Sequence, residues 1–252
     1  MSEKPFPSAL GINSGPSFHD TLDALSALQK RINMAVFASG TGSNFRALCD
    51  AARAGTLGAA EPMLLICNRE CNAMDIAREK EIPAYVFSPQ TFNSRQEWEE
   101  KIVSVVHAFE IDFIALAGYT KKVGAPLLTA FPEKIVNLHP SLLPAYSGLH
   151  AIERIWNDAH SSDPAVRTAA RTAAGVTVHI ADEHLDHGPI LAQRSVPVET
   201  FANQADFEAA VHTAEHLLFP STVAEFAATL ERQQESGTPD WLQQARKHQH
   251  QQ

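Results

Sequence analysis

Five short apolar runs, each followed by a segment with helical spacing or by a polar loop, constrain the fold of this chain more than any other feature. One of them, Ile111–Gly118, is almost wholly apolar, which is typical of a parallel strand that is covered on both faces. Strand and helix alternate in this way through residues 32–138, so the sequence predicts a doubly wound, mostly parallel α/β sheet. The predicted strands are 32–39, 62–68, 84–87, 111–118 and 134–138.

The sequence of the second half of the chain predicts that one edge of this sheet is antiparallel. Gly175–Ile180 and Ile190–Val198 are joined by a short polar link, which predicts an antiparallel pair. Residues 160–173 are small and polar without a clear period, so we expect a loop or an inserted segment there. Residues 207–230 have helical spacing, with a break expected near Pro220.

A single catalytic domain is predicted over residues 32–230. The chain has 252 residues, of which 44% are hydrophobic, and this is enough for one large core. Phe18–Arg31 carries leucines at three-residue spacing and predicts an amphipathic helix within an N-terminal extension, residues 1–31. Residues 231–252 are polar and rich in Gln, so we expect a disordered tail.

Charge and apolar patterning argue against several classes of protein. A formal charge of −9 disfavours broad electrostatic binding to nucleic acid. No stretch has the length of a membrane span and residues 1–10 lack a signal-peptide pattern, so we expect a cytoplasmic protein without membrane contact. The three cysteines, Cys49, Cys67 and Cys71, are too few for a disulfide framework, and Cys67 and Cys71 lack zinc-ribbon spacing. We expect all three to be buried as small apolar side chains.

A glycine-rich segment, Gly40–Asn44, lies between the first predicted strand and the helix that follows it. This arrangement presents backbone N–H groups and a helix N-terminus to an anion, typically a phosphate. Ser43 or Asn44 is expected to cap the helix. The segment matches neither the P-loop nor the dinucleotide fingerprint, which favours the phosphate of a small substrate over ATP or NAD. A tight structural turn is the alternative interpretation.

Arg95 opens a predicted helix, where the macrodipole disfavours a positive charge. A bound phosphate facing this side chain would explain its position. The alternative is a solvent-exposed arginine, which is the common state of this residue type.

Two polar segments form the predicted catalytic set. Asn137 and His139 follow a β-branched run at the end of the fifth predicted strand, and their spacing of two places both side chains on one side of an extended chain. An Asn amide can stabilise an oxyanion, and a His titrates near neutral pH. The link Ala181–Pro189 is rich in acids and imidazoles, but it lacks the helical spacing of a zinc site, so we expect no metal. Asp186 is instead predicted to orient or charge a histidine elsewhere.

Six motifs occur in the order found in a known family, which this chain resembles over about residues 32–230. The family is the glycinamide ribonucleotide formyltransferases of purine synthesis. The resemblance implies a Rossmann-like formyltransferase fold, 10-formyltetrahydrofolate as co-substrate, the amine of 5'-phosphoribosylglycinamide as acceptor, and no metal. The motifs are ASGTGSNF, FNSR, LAGYTKKV, NLHPSLLPAYSGLH, HLDHGPI and AEHLLFP.

The resemblance also implies roles for individual residues. Asn137 and protonated His139 would stabilise the oxyanion as the amine attacks the formyl carbon, and Asp186 would hold His139 charged or relay protons. The residues matching the family's substrate contacts are Gly42, Ser43, Asn44, Arg95 and Glu215. The residues matching the walls of its folate pocket are Tyr119, Thr120, Lys121, Lys122, Val123, Asp182 and Glu183.

The chain departs from the family pattern in three places. His187 stands where many members have glycine, which would be uncomfortable if that position needs a positive φ angle. Thr120–Lys122 replaces a Met-Arg-aliphatic pattern, and the segment 160–173 is longer than usual.

Other functions stay open beside the one implied by the resemblance. They are formyl transfer to another amine, hydrolysis of formyltetrahydrofolate, and catalytically silent binding of a phosphosugar or folate. The tRNA formyltransferases carry an added C-terminal domain and the deformylases an added N-terminal one, and neither 1–31 nor 231–252 is long enough for a domain. We expect small-molecule partners, and an oligomer is possible on this sequence.

Overall fold

A computed structural model describes residues 31–236 of the chain, with side chains to residue 233. All but the last residue of the predicted helix over residues 18–31, and most of the predicted tail, therefore lie outside the described residues. The described part contains a seven-stranded sheet in the order β3-β2-β1-β4-β5-β6-β7. Its strands are β1 Ile32–Ala38, β2 Ala60–Cys67, β3 Ala84–Val86, β4 Phe113–Leu116, β5 Ile135–His139, β6 Gly175–Ile180 and β7 Ile190–Ser195.

Seven α-helices of the described chain surround this sheet. They are α1 Ser43–Arg53, α2 Ala73–Glu79, α3 Arg95–Ala108, α4 Ala125–Ala130, α5 Ala151–Ala159, α6 Pro164–Ala173 and α7 Gln204–Ser236. No helix within residues 31–236 is both long enough and apolar enough to cross a bilayer.

Strand directions confirm the predicted fold class. The strands β1 to β5 pair in parallel, whereas β6 runs antiparallel to β5 and β7 runs antiparallel to β6. The chain reverses its direction of travel through the sheet between β1 and β4, since β1 has β2 on one side and β4 on the other. In open α/β sheets, ligands bind beyond the carboxyl ends of the strands at such a switch point.

Alternate residues of β1 supply the cores on the two faces of the sheet. Met34 and Val36 pack in one core with residues of α1 and α7, such as Phe45 and Phe219. Ala35 and Phe37 pack in the other core, whose helical side chains come from α3 and α4; they include Trp98, Ile102, Val106 and Leu127. A strand that is buried on both faces has no polar alternation, which is why its sequence reads as one apolar run.

The prediction of a loop over residues 160–173 is wrong. Residues Pro164–Ala173 form α6, and Asp163 caps it by accepting a hydrogen bond from the Ala165 N–H at 2.8 Å. Its buried side chains are Ala170 and Ala173, which are too small to give the periodic apolar signal of a larger helix face.

The prediction of a break near Pro220 in the long C-terminal helix is wrong. Helix α7 runs without interruption from Gln204 to Ser236, six residues beyond the predicted domain end at 230. Proline removes one backbone donor, at a cost of about 3 kcal/mol in a helix interior. Phe219 and Val223 are fully buried on either side of it, and each buried side chain of this kind contributes roughly 1.5–3 kcal/mol.

Candidate active site

The predicted catalytic residues meet at the carboxyl end of β5. His139 Nδ1 lies 3.5 Å from Asp186 Oδ2, and Asn137 Nδ2 lies 3.4 Å from Asp186 Oδ1. The His139 and Asp186 side chains are only 7% and 6% exposed. Asp186 comes from the link between β6 and β7, so the antiparallel return of β6 beside β5 is what brings the three side chains together.

Asp186 is held in a left-handed backbone conformation, with φ 55°. Asp adopts this region more readily than most residues, and the Gly148 N–H donates to its Oδ2 at 2.7 Å. Burial raises the pKa of the Asp186 carboxyl, but its contact with the His179 ring, the His139 ring and the Gly148 N–H together lower it below its ordinary value. The positive φ angle thus falls on Asp186, and the concern about His187 in place of glycine does not apply, because His187 has no such angle.

The surroundings of His139 favour its neutral form in the free protein, whereas the resemblance implies a protonated ring during the reaction. Burial lowers the pKa of His139, and the opposing effects of Asp186 and the Tyr146 carbonyl do not restore it to its ordinary value of 6.5. Nε2 lies 3.0 Å from the Tyr146 carbonyl oxygen, so this nitrogen carries the proton and donates it. Nδ1, which faces Asp186, is therefore the basic nitrogen of the ring.

His179 is a member of this cluster that the sequence prediction did not include. It lies directly opposite Asn137 in the β5–β6 register. Its Nδ1 is 2.9 Å from the Ile180 carbonyl oxygen and must donate, so in the neutral ring Nε2 accepts from Asn137 Nδ2 at 2.9 Å, and in the charged ring Nε2 faces Asp186 Oδ1 at 3.7 Å. One Asn137 N–H is therefore bonded to neutral His179. The other makes only the weaker 3.4 Å contact with Asp186 and is free to donate to an oxyanion instead. Only its position as the cross-strand neighbour of Asn137 could have identified His179 as a site residue, and that position is known only once the strand register is known.

The glycine loop opens α1 without a side-chain cap, contrary to the expectation for Ser43 or Asn44. Gly42 is the N-cap residue, with φ 76°, and Ser43 is already helical. A Cβ at Gly42 would lie 2.8 Å from the Cα of Ala73, so only glycine fits this close approach to α2. The first N–H groups of α1 consequently have no capping side chain and can bind an anion.

Asn44 and Glu215, which are both predicted to bind the substrate, are in direct contact. Asn44 Nδ2 donates to Glu215 Oε2 at 2.9 Å, although 171 residues separate them. Glu215 is 4% exposed, and the same oxygen accepts from His212 Nδ1 at 2.9 Å. The hydrogen bond to Glu215 raises the pKa of His212, so the buried carboxylate has a partner that is readily protonated. Asn44 Oδ1 is buried without a hydrogen-bond partner among the described residues.

Arg95 lies away from the glycine loop, on the other side of the candidate site. Its Nε donates to Glu99 Oε1 at 2.9 Å, and its Nη2 donates to the Lys122 carbonyl oxygen. The cavity of about 750 Å³ that Arg95 lines includes none of Gly42–Asn44. Thr41 and Ser43 line a separate cavity of about 530 Å³. The structure thus groups Arg95 with residues predicted to bind the co-substrate rather than with the phosphate loop.

The predicted co-substrate residues form two walls of the larger cavity. Lys122, Val123, Asp182 and Glu183 all line it. Thr120 is fixed by its backbone N–H, which donates to Ser39 Oγ at 2.9 Å. Beside these walls the Tyr119 ring packs edge-on against Phe37, and Lys121 lines an adjoining cavity of about 360 Å³ together with Arg95 and Lys122.

Within the described part of the chain, no three His, Cys, Asp or Glu side chains are grouped so that they could hold a metal ion. The clustered acids and imidazoles of the β6–β7 link instead point in different directions: His184 and Glu183 are exposed, whereas Asp186 faces the catalytic cluster.

Comparisons with known proteins agree with the fold. The family model described as formyl transferase matches residues 32–223. A phosphoribosylglycinamide formyltransferase from Bacillus subtilis is 33% identical over 189 residues, which is 75% of this chain and 91% of that protein. The crystal structure of glycinamide ribonucleotide transformylase 1 from Geobacillus kaustophilus is 39% identical, with a TM-score of 0.70, over 78% of this chain and 99% of that one.

A longer relative contains a similar segment. The trifunctional purine biosynthetic protein adenosine-3 from Drosophila melanogaster is 33% identical over 198 residues, which is 78% of this chain but only 14% of that protein. The match to the family model covers most of the chain, and both the sequence and the fold agree with two relatives over nearly the whole length of those relatives. The chain belongs to the formyl transferase family.

Proposed function

We propose that this enzyme transfers the formyl group of 10-formyltetrahydrofolate to the amine of 5'-phosphoribosylglycinamide, a step of purine synthesis. The observation that carries the proposal is the meeting of Asn137, His139 and Asp186, through contacts of 3.4 and 3.5 Å, at the carboxyl end of β5. The name and the nearly full-length match of the Bacillus subtilis relative support the choice of acceptor.

The catalytic step is attack of the neutral substrate amine on the formyl carbon. The carbonyl oxygen becomes an oxyanion, which accepts the Asn137 N–H that is only weakly held by Asp186. Nδ1 of neutral His139 receives the proton that the amine nitrogen loses, and the Asp186 carboxylate stabilises the resulting imidazolium. His139 then returns the proton to the departing folate nitrogen. The tetrahedral intermediate then collapses: the bond between the formyl carbon and the folate nitrogen breaks, and the bond between the formyl carbon and the substrate amine remains. No covalent enzyme intermediate forms.

The acceptor's phosphate binds at the start of α1. Two features support this placement: the N–H groups after Gly42 lack a capping side chain, and the helix dipole there favours an anion. Glu215, held by Asn44 and His212, supplies a carboxylate for the sugar hydroxyl groups. This division leaves the amine end of the acceptor free to reach His139.

The co-substrate occupies the cavity of about 750 Å³ between the Tyr119–Val123 loop and the β6–β7 link. Arg95 lines that cavity and is fixed by Glu99, so it provides positive charge to an anionic group of the folate. We therefore propose a contact between Arg95 and the co-substrate in place of the predicted contact with the phosphate of the acceptor.

Activity of the purified chain tests the proposal. We expect formyl transfer from 10-formyltetrahydrofolate to 5'-phosphoribosylglycinamide, and little turnover with water, an amino sugar or methionyl-tRNA as the competing acceptor. The variants His139→Ala and Asp186→Ala are expected to lose kcat. Formate release that does not depend on the amine would instead indicate a deformylase, and wild-type rates in both variants would contradict the assigned roles.

A further inference from the structure

Two cysteines that the reaction does not use are in contact. Cys67 Sγ and Cys71 Sγ lie 3.6 Å apart. Cys67 ends β2 and is fully buried, whereas Cys71 lies before α2 and is partly exposed. The sequence predicted them only as small apolar side chains, because the spacing of four matched no metal site. The third cysteine, Cys49, is buried in α1.

The segment between these two cysteines is hydrogen-bonded to Ser39, which in turn binds the loop that carries Thr120. Asn68 accepts a hydrogen bond from the Ser39 hydroxyl, and Arg69 Nε donates to the Ser39 carbonyl oxygen at 2.7 Å. The same Ser39 hydroxyl oxygen accepts from the Thr120 N–H at 2.9 Å. Ser39 is 1% exposed, so water cannot readily replace bonds that it loses. The conformation of residues 67–71 is therefore linked to the loop that carries Thr120.

We propose that Cys67 and Cys71 form an oxidative modification site, at which hydrogen peroxide closes an intrachain disulfide and thereby loosens the Tyr119–Val123 loop. Peroxide first oxidises the Cys71 thiol to a sulfenic acid and leaves as water. The Cys67 sulfur then attacks the Cys71 sulfur, the S–S bond forms, the S–O bond breaks and a second water leaves. Overall, two thiols and one peroxide give one disulfide and two waters, and a dithiol reductant reverses the change.

The order of these events follows from burial. Burial raises the pKa of the Cys67 thiol, so Cys67 reacts slowly with peroxide from solution, and the partly exposed Cys71 is attacked first. Contact between the two sulfurs then makes the second step intramolecular, which offsets the weak nucleophilicity of Cys67.

Closing the bond requires a movement of the intervening segment. The sulfur atoms must approach from 3.6 Å to about 2.05 Å, a shift of roughly 1.5 Å. Asn68 and Arg69 lie inside the ring that is closed, and their bonds to Ser39 are directional. Loss of this alignment releases the Ser39 hydroxyl and with it the Thr120 N–H.

The first test treats the full-length chain with hydrogen peroxide in the absence of reductant and measures its mass and the exchange of the Thr120 amide. We expect a mass loss of about 2 Da with Cys67 linked to Cys71 in the peptide map, and Thr120 exchange that is roughly tenfold faster, both reversed by dithiothreitol. The variants Cys71→Ser and Cys67→Ala should show neither change. Cys49→Ala is the matched control and should behave like the wild type.

Several results would overturn the inference. A gain of about 16 or 32 Da without the loss of 2 Da would mean that Cys71 is oxidised without a disulfide. Equal acceleration of Thr120 exchange in Cys71→Ser, or a disulfide that leaves Thr120 exchange unchanged, would disconnect the pair from the loop.

The consequence for catalysis rests on the proposed function. We expect the oxidised chain to have a KM for 10-formyltetrahydrofolate that is roughly threefold to tenfold higher, with the KM of the ribotide unchanged. The mass and exchange measurements need neither substrate, so a failure of the proposed function would leave them intact, and a failure of the disulfide would be seen without any activity assay.

Discussion

Asp186→Asn removes a single charge from the catalytic cluster and leaves its framework in place. The amide oxygen of Asn can still accept the Gly148 N–H that now donates to Asp186 Oδ2 at 2.7 Å. Asn also tolerates the left-handed conformation, φ 55°, as well as Asp does. A loss of activity in this variant therefore reports on the charge. Asp186→Ala would add backbone strain to the same loss and would be harder to interpret.

The size of the effect follows from the distance between the carboxylate and the His139 ring. At 3.5 Å and an effective dielectric constant of about 20, a full positive charge on His139 interacts with Asp186 by about 5 kcal/mol. That energy corresponds to an upper limit of roughly 3,000-fold in rate. The Asn dipole recovers part of it, so we expect kcat to fall by about 100-fold to 1,000-fold, with little change in either KM.

The pH dependence gives the prediction a sign. The free protein needs neutral His139, so kcat/KM should fall as the pH drops through the pKa of His139, which burial holds below its ordinary value of 6.5. Asp186 acts to raise that pKa, and the Asn variant should therefore move this limb to lower pH. The parts of the pH profile that are due to the substrate phosphate, near pH 6, and to the substrate amine, near pH 8, should not move.

The release of tetrahydrofolate is measured with ribotide and formylfolate both saturating for kcat, and with the ribotide well below its KM for the pH dependence of kcat/KM. Urea unfolding checks that the variant is folded. A kcat within about threefold of wild type, or an acid limb that does not move, would refute the reasoning. The double variant His139→Asn with Asp186→Asn adds a second check. Because the two residues act as a unit, it should be about as slow as the slower single variant, whereas multiplied losses would show that they act independently.

Three further predictions follow from individual contacts. Gly42→Ala should lower the free energy of unfolding in urea by about 1–3 kcal/mol, because its Cβ meets Ala73; Gly55→Ala has a similar positive φ angle with open space around it, and an equal cost would rule out that contact as the cause. Asn44→Ala should raise the KM of the ribotide about tenfold in steady-state assays and leave that of formylfolate unchanged, and a parallel rise in both would argue against a role in phosphate binding. Asp163→Ala should cost about 1 kcal/mol of stability by removing the cap of α6, where a true loop would show no change in urea unfolding.

The fold was predictable wherever burial acts on large side chains. Strands β1 and β4 are covered on both faces, so nearly every residue is apolar and the pattern is hard to mistake. The sequence failed where the signal depends on small residues or on tertiary compensation. Helix α6 buries alanines, and Pro220 is tolerated in α7 because large neighbours pack around it.

The catalytic set was predictable in part because local sequence already places two of its members on one side of a strand. Asn137 and His139 are two residues apart in β5, so the strand period aligns them. His179 could not be assigned in the same way, because its contact with Asn137 depends on the antiparallel register of β5 and β6. A shift of that register by one residue would turn His179 to the opposite face.

Arg95 shows why the face of the sheet matters when a ligand contact is predicted from the sequence. Its predicted partner was a phosphate at the glycine loop, and both follow parallel strands. The path from β1 through α1 to β2 moves one way along the sheet, whereas the path from β3 through α3 to β4 moves the other way. Since parallel crossovers are right-handed, the two helices must lie on opposite faces, and their separate cores show that they do. The strand order, had it been known, would have placed Arg95 on the face opposite α1, where Glu99 satisfies its Nε.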